Sequence, residues 1–357
     1  MFGFFKKKPK GPATVRVEPM GIEVEVPAGQ SMLQAVLEAG YDFPHSCKVG
    51  TCMSCRCRLI SGKVNAIRDF SYVLSGEELR AGYILACQAK VPAGTQAVIE
   101  MSLDPNRPQH AVIRSSGVIS GQQVLTHDIV ELKIQLDEAG NAMNYAAGQY
   151  ASLCREGLDR DRDYSFAKAP VAGGARELTF FIRHVPGGAF TDWLFDRPRV
   201  GEAIQVSGPG GDFWLRPDDA PMVMIAGGSG LAPVLCILET ALQEGNTRDV
   251  TFLFGARAQR DLYQLDAIKK IAEQWKGKFT FMPILSDEPA DSDWQGSRGL
   301  VTEYLVSSQV ANLSLCHAYL CGPPKMIDAA MVQLFEAGIP ESHIHYDKFL
   351  DASSLQP

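Results

Sequence analysis

The sequence predicts a multidomain chain of mixed α+β and α/β class, and three observations carry that prediction. Cys47, Cys52 and Cys55 stand in one loop at C-x4-C-x2-C spacing, and Cys87 follows inside Leu85-Ala86-Cys87-Gln88. Short alternating apolar runs, separated by Gly and Pro, fill the middle of the chain. Further on, the wholly apolar run 222–226 leads straight into Gly227-Gly228-Ser229-Gly230-Leu231-Ala232-Pro233. The last two predict a small antiparallel β-barrel and a doubly wound parallel sheet, and the strand–strand–helix–loop–strand order around the cysteines is that of a β-grasp. A length of 357 residues with 46% hydrophobic content is enough for two or three cores.

Composition narrows the function classes. A net charge of -7 argues against nucleic acid as a partner. Nine unevenly spread cysteines do not resemble a secreted disulfide framework and fit metal ligation in a reducing cytoplasm. No apolar run reaches the length of a membrane-spanning helix. Residues 1–11 form a basic tail whose Phe2, Phe4 and Phe5 precede Lys6, Lys7, Lys8 and Lys10. That order is the reverse of a signal peptide. It has the composition of an interfacial anchor, so a weak membrane contact is the alternative to a disordered tail.

Residues 12–103 are expected to form the first domain. Segments 14–19 and 22–26 alternate around Met20-Gly21 and read as a hairpin. Ser31 reads as the N-cap of a helix over 32–39 that Gly40 ends. The cysteine loop follows, then a strand over 56–59 and another over 84–91 that delivers Cys87. C-x4-C-x2-C with a distant fourth cysteine is the spacing that holds a [2Fe-2S] cluster, two thiolates to each iron. A four-cysteine zinc site is the alternative, though zinc sites split their cysteines into two knuckles. Cys57 reads as a buried strand thiol. His45 reads as a surface residue of the loop, since a Rieske centre needs two histidines.

Residues 104–110, with two prolines and no periodicity, read as a linker. Strands are expected over 130–136, 149–153, 178–183 and 203–206, within a barrel domain spanning 111–217. Two motifs sit on it. Arg162-Asp163-Tyr164-Ser165 offers a guanidinium for a phosphate, a ring for stacking and a hydroxyl. Gly187-Gly188-Ala189-Phe190-Thr191 opens a short helix, and a glycine pair there can cradle a phosphate with backbone N–H groups. Alone, each string also fits a turn or a solvated arginine.

The last domain, 218–357, alternates strand and helix. Its glycine loop lies between an apolar strand and a helix over 234–242, the arrangement of a dinucleotide site. Further units are expected over 250–254 with 265–275, 279–285 with 300–306, and 318–321 with 324–335. Cys321-Gly322-Pro323 puts a thiol and a tight turn at a strand's carboxyl end, where ligands bind in such sheets. A final strand, 345–349, ends in Phe349.

Taken together, 12–349 resembles the reductase components of bacterial oxygenases. Those chains join a plant-type ferredoxin to FAD and NAD domains of the ferredoxin–NADP reductase superfamily. Benzoate, carbazole and phenol oxygenase systems use this layout. The resemblance implies an NAD(P)H-dependent oxidoreductase with a [2Fe-2S] cluster on Cys47, Cys52, Cys55 and Cys87. It implies FAD contacts from Arg162, Tyr164, Ser165, Gly187, Gly188 and Thr191. NADH would bind at Gly227, Gly228, Gly230 and Pro233, with Cys321, Gly322 and Pro323 beside the nicotinamide and Phe349 over the flavin. Ser165 and Cys321 would lie nearest the hydride transfer. Many family members end at that aromatic, whereas residues 350–357 follow it here. Arg257 and Arg260 lie where a 2′-phosphate would be read, yet Gly255-Ala256-Arg257 resembles the NADH-using members. The implied partner is a terminal Rieske or di-iron oxygenase. Service to a membrane desaturase or hydroxylase, or a non-enzymatic iron–sulfur carrier or redox sensor, are the rival readings.

Overall fold

The structure is a computed structural model that describes residues 11–102, 104–158 and 160–350. The Phe/Lys tail, and any membrane contact through it, lies outside the described residues. Among those described, no helix is long and apolar enough to cross a membrane. The chain forms two compact units that divide after Val112.

In the first unit, β1 (Ala13–Glu18) and β2 (Ile22–Val26) form the expected hairpin. Helix α1 (Met32–Glu38) starts at Ser31, whose hydroxyl accepts the Gln34 N–H. Strand β3 (Arg56–Ser61), the short β4 (Asn65–Ala66), helix α2 (Gly76–Arg80), β5 (Tyr83–Leu85), β6 (Ala89–Lys90) and β7 (Gln96–Met101) complete it. The main sheet runs β2-β1-β7-β3-β5, and α1 buries Met32, Leu33, Ala35 and Val36 against it. Segment 84–91 is not one continuous strand. A 3-10 turn, Ala86–Gln88, interrupts it and carries Cys87. A straight strand would alternate its side chains across the sheet, whereas the turn lets one thiol leave the ladder. Segment 104–110 folds back on this unit, where the buried Arg107 pairs with Asp42.

The second unit begins with six antiparallel strands. These are β8 (Ile113–Val124), β9 (Ile129–Leu136), β10 (Tyr150–Cys154), β11 (Arg162–Ser165), β12 (Glu177–Arg183) and, after helix α3 (Ala189–Asp196), β13 (Ala203–Gly210). Their order is β11-β10-β13-β8-β9-β12. A bridge between Phe166 and Phe180, and an Ala167 N–H donated to the Thr179 carbonyl, join the two edges and close the barrel. Closure leaves no open edge along that seam.

The parallel sheet follows. Its strands are β14 (Met222–Gly227), β15 (Val250–Ala256), β16 (Phe279–Leu285), β17 (Ser297–Arg298), β18 (His317–Gly322) and β19 (Ile344–Lys348), with α4 (Leu231–Gln243), α5 (Leu265–Gln274) and α6 (Pro324–Glu336) between them. The order β17-β16-β15-β14-β18-β19 places the reversal of the winding between β14 and β18. The helix expected over 300–306 is only a 3-10 turn, Val301–Tyr304. Leu305, at φ -83° and ψ 55°, leaves the helical region and ends the segment after one turn. Helix α4 begins three residues earlier than expected, because Pro233 falls in its first turn, where a missing N–H costs nothing. One continuous core runs from barrel residues such as Ile119, Phe180 and Phe213 to Met224, Leu235 and Phe252 of the parallel sheet.

Candidate functional site

The cysteine loop is shaped by backbone bends before any ligand is considered. Lys48, Gly50 and Met53 have φ of 56°, 84° and 62°. Two of these are non-glycine residues in the left-handed region, a cost that surrounding contacts must hold in place. Gly50 also packs on Gln88, where a Cβ would come within 2.6 Å of its Cγ. The four sulfurs fall into two hydrogen-bonded pairs, Cys47 with Cys52 and Cys55 with Cys87. The Cys47 N–H donates to Cys52 Sγ at 3.3 Å, Thr51 N–H to Cys47 Sγ at 3.3 Å, and the Gln88 amide to Cys87 Sγ at 3.6 Å. The bond from Cys52, followed by the Thr51 contacts, pulls Cys47 down to about 5 against the opposing effect of burial. The Cys55 bond likewise lowers Cys87, while their partners Cys52 and Cys55 are raised.

This donor set fits a two-iron cluster. Among the described residues, the one set of three metal-capable atoms mutually within 4.8 Å is His127, Asp128 and Asp261. The cysteine sulfurs therefore do not converge on a single point, as the four ligands of one tetrahedral zinc would at about 3.8 Å from one another. Two pairs with inward N–H donors suit two irons sharing sulfides. Cys57 is a buried thiol of β3, as expected. His45 is not on the surface. It is 3% exposed, with Nδ1 2.7 Å from the Phe43 carbonyl.

The barrel seam brings its two motifs together. Arg162 through Ser165 lie on β11, with Ser165 opposite Tyr150 and buried. The Arg162 guanidinium donates to the carbonyls of Arg160 and Asp161 at 2.8 and 3.1 Å. The Tyr164 ring lies 5.4 Å from Phe190 in α3, and burial raises its phenol. Gly187 is exposed in the turn before α3, and Gly188 is the helix N-cap with no side-chain cap bond. The first-turn N–H groups of α3 thus have no side-chain cap from that residue. Thr191 is buried. Its hydroxyl donates to Val185 O at 2.9 Å and accepts the Val185 N–H at 3.2 Å, so it ties the turn together rather than pointing outward.

At the switch point, the ends of β14 and β18 touch. A Cβ on Gly230 would lie 2.3 Å from the Cys321 carbonyl oxygen, and one on Gly227 would lie 2.7 Å from Met326 Sδ and 2.9 Å from Pro323 Cδ. Gly228 accepts the Tyr263 hydroxyl on its carbonyl at 3.0 Å. Pro233 is buried in the first turn of α4. Cys321 is fully buried, and its desolvated thiol is pushed well above its ordinary value, with Asp347 adding to the shift. It is therefore a neutral thiol and no nucleophile. Gly322 has φ of 143°, and its carbonyl accepts the Phe349 N–H at 2.9 Å. Phe349 thus sits one residue past β19, tied to the Cys321-Gly322-Pro323 turn and packed on the shared core.

Sequence reasoning missed a charge cluster beside this loop. Arg183 closes β12, Asp128 lies in the β8–β9 turn, and Arg257 follows β15 directly. Both guanidinium groups reach Asp128 Oδ2, at 3.0 and 3.1 Å. Burial would raise Asp128, but the Thr126 hydroxyl and Arg183 outweigh it and hold the carboxyl low. The two arginines already supply the positive charge that a cation at His127, Asp128 and Asp261 would bring. No spacing signal marks this cluster, because its members are far apart in the chain. Sequence reasoning also missed the stacking of His317 on His343 and His345 near the amino ends of β18 and β19. There burial, more than neighbouring charge, pulls His317 down to about 4 and His345 to about 2.

A cysteine loop suited to two irons, a closed barrel whose two motifs meet at its seam and a glycine cradle at the switch point are the parts of an iron–sulfur flavin oxidoreductase. The family models agree. Residues 15–92 match the 2Fe-2S iron-sulfur cluster binding domain, 116–214 the oxidoreductase FAD-binding domain and 224–331 the oxidoreductase NAD-binding domain. The chain is 41% identical to the xylene/toluene monooxygenase electron transfer component of Pseudomonas putida, over 97% of both chains. It is 34% identical to the phenol 2-monooxygenase reductase component of Pseudomonas sp. strain CF600, over 95% of both. The crystal structure of the Amycolatopsis cytochrome P450 reductase superposes with a TM-score of 0.80 at 34% identity, covering 95% of this chain and 99% of that one. The chain belongs to this family of three-module reductase components, with [2Fe-2S], FAD-binding and NAD-binding domains in that order.

Proposed function

We propose that this chain is the reductase component of a multicomponent oxygenase, taking hydride from NADH and delivering single electrons to a terminal oxygenase in the cytoplasm. The observation that carries the reading is the contact of the glycine loop with the Cys321-Gly322-Pro323 turn, in a unit whose core continues into the barrel. A bare iron–sulfur carrier has no use for that cradle. Nine free cysteines fit the reducing compartment.

Bound in these sites, a flavin parts the two electrons of a hydride and an iron–sulfur cluster relays them one at a time. The residues' own work is binding and orientation. The N–H groups at the start of α4 would bind the dinucleotide pyrophosphate, with Gly227, Gly228 and Gly230 leaving room for it. Arg162, Gly187 and Gly188 would hold the flavin phosphates, with Thr191 fixing the turn. Tyr164, Phe349 and Ser165 would contact the flavin ring system. Cys321 shapes a dry wall for the nicotinamide. Cys47, Cys52, Cys55 and Cys87 hold the cluster.

The test is made on purified protein. It should contain about two irons and one flavin per chain, and its kcat/KM should be higher with NADH than with NADPH. It should also support turnover when mixed with a terminal oxygenase. Iron without flavin, or zinc in place of iron, would sink this reading.

A further inference from the structure

The glycine loop after β14 is tied to the protein interior by one phenol. Tyr263 follows the 3-10 turn Gln259–Asp261 and is 5% exposed. Its ring stands edge-on to Phe181 of β12 and to Phe254 of β15, with centroids 5.5 and 5.9 Å away. A phenylalanine would fill that wedge equally well, so what the hydroxyl adds is its hydrogen bond. It donates to the Gly228 carbonyl at 3.0 Å. Burial pushes the phenol well above its ordinary value, so it remains an O–H donor. Gly228 has φ of 56°, a conformation that glycine enters and leaves at little cost, so its backbone does not fix its own peptide. The Leu231 N–H reaches the same carbonyl but is shared with the Ser229 carbonyl, which leaves the Tyr263 bond as the undivided one.

A trans peptide points its C=O and the following N–H in opposite directions. With the Gly228 carbonyl drawn toward the aromatic wedge, the Ser229 N–H is turned away from it. Resting on the dinucleotide reading above, we propose that Tyr263 is a positioning residue of the nucleotide site. It holds the Gly228–Ser229 peptide so that the N–H, and not the carbonyl, is presented to the dinucleotide pyrophosphate. A pyrophosphate needs donors, and a flipped peptide would set a partial negative charge against it. Phe181 belongs to the barrel, so a donor of the nucleotide loop is braced from across the module boundary.

The experiment compares the FAD-loaded protein with its Tyr263→Phe variant, which keeps the ring and loses the hydroxyl. Calorimetry measures the binding of ADP-ribose, which carries the pyrophosphate, and of adenosine, which carries no phosphate. Stopped-flow mixing with NADH gives the limiting rate of flavin reduction and the concentration that reaches half of it. ADP-ribose should bind about tenfold more weakly, the loss of roughly one hydrogen bond to a charged group, with adenosine unchanged. The half-saturating NADH concentration should rise to match, while the limiting rate stays within about twofold. Flavin content and thermal melting confirm that the variant is loaded and folded, and all binding is measured below its melting temperature. An unchanged ADP-ribose affinity overturns the proposal while leaving the dinucleotide reading intact. So does an equal weakening of both ligands, which would make Tyr263 a support for the whole loop, and so does a fall in the limiting rate at unchanged half-saturation. A wild-type protein that binds no ADP-ribose and does not oxidise NADH removes the reading and the proposal together.

Discussion

The cysteine loop and the nucleotide cradle solve opposite problems. The loop must present side chains. Three of its four sulfurs come from nine consecutive residues, 47–55, and the backbone bends at Lys48, Gly50 and Met53 to aim them. The cradle must withhold side chains. Gly230 lies so close to the Cys321 carbonyl that even a methyl group has no room, and the surface left for a ligand is backbone. A site made of ligands is local in sequence and dies with one atom. A site made of absences is spread over several strand ends and is damaged by additions.

The sharpest test of this contrast is Cys87→Ala. Three thiolates leave one iron under-coordinated, so iron content should fall to near zero or become labile. Unit 113–357 has its own core and should keep FAD. NADH-driven reduction of ferricyanide should survive, while reduction of cytochrome c should collapse. Persistent cytochrome c reduction in iron-free protein would show that the cluster is not the exit for electrons.

Gly230→Val probes the other side. The added side chain must push apart the ends of β14 and β18, an overpacking cost of about 1–3 kcal/mol. NADH KM should rise by an order of magnitude or more, with melting lowered by several degrees, on the order of 2–4 °C per kcal/mol, and with iron content unchanged. A normal KM would mean the glycine is there for reasons other than close approach.

The smallest effect is expected from Gln88→Leu. The change removes a donor to Cys87 Sγ but spares all four ligands. A net hydrogen bond of about 1 kcal/mol converts to some tens of millivolts for one electron, and the potential should become more negative. An EPR redox titration unchanged within error would assign Gln88 to packing against Gly50 alone.

The same contrast decides what is legible in the sequence. Ligand spacing and the apolar run into the glycine loop can be read directly, because one is chemistry at fixed intervals and the other is a strand buried on both faces. Strand β8 cannot. Ile113–Val124 is not among the strands expected in the barrel, since its Ser, Gly and Gln residues leave too few apolar positions for an alternation to stand out. Cys87 stands out by its spacing, but the turn that carries it is hidden inside an apolar stretch. Asp128 escapes notice because its meaning depends on Arg183 and Arg257, both distant in the chain. Thr191 reads as a phosphate contact. Its hydroxyl bonds within its own turn explain why the motif wants that residue without giving it an outward role.

The two modules of the second unit are also fastened to each other away from any ligand. Glu239, on α4, takes the Lys168 ammonium at 2.8 Å on one oxygen and the Ala169 N–H at 3.1 Å on the other. The Lys168 carbonyl in turn accepts the Tyr145 hydroxyl at 3.0 Å and the Cys236 thiol at 2.8 Å. With a core that crosses the same boundary, neither module has a complete interior by itself. Flavin and nucleotide regions that look like separate cassettes in the sequence should therefore melt here in a single cooperative transition. A chain cut between them would expose apolar surface on both fragments.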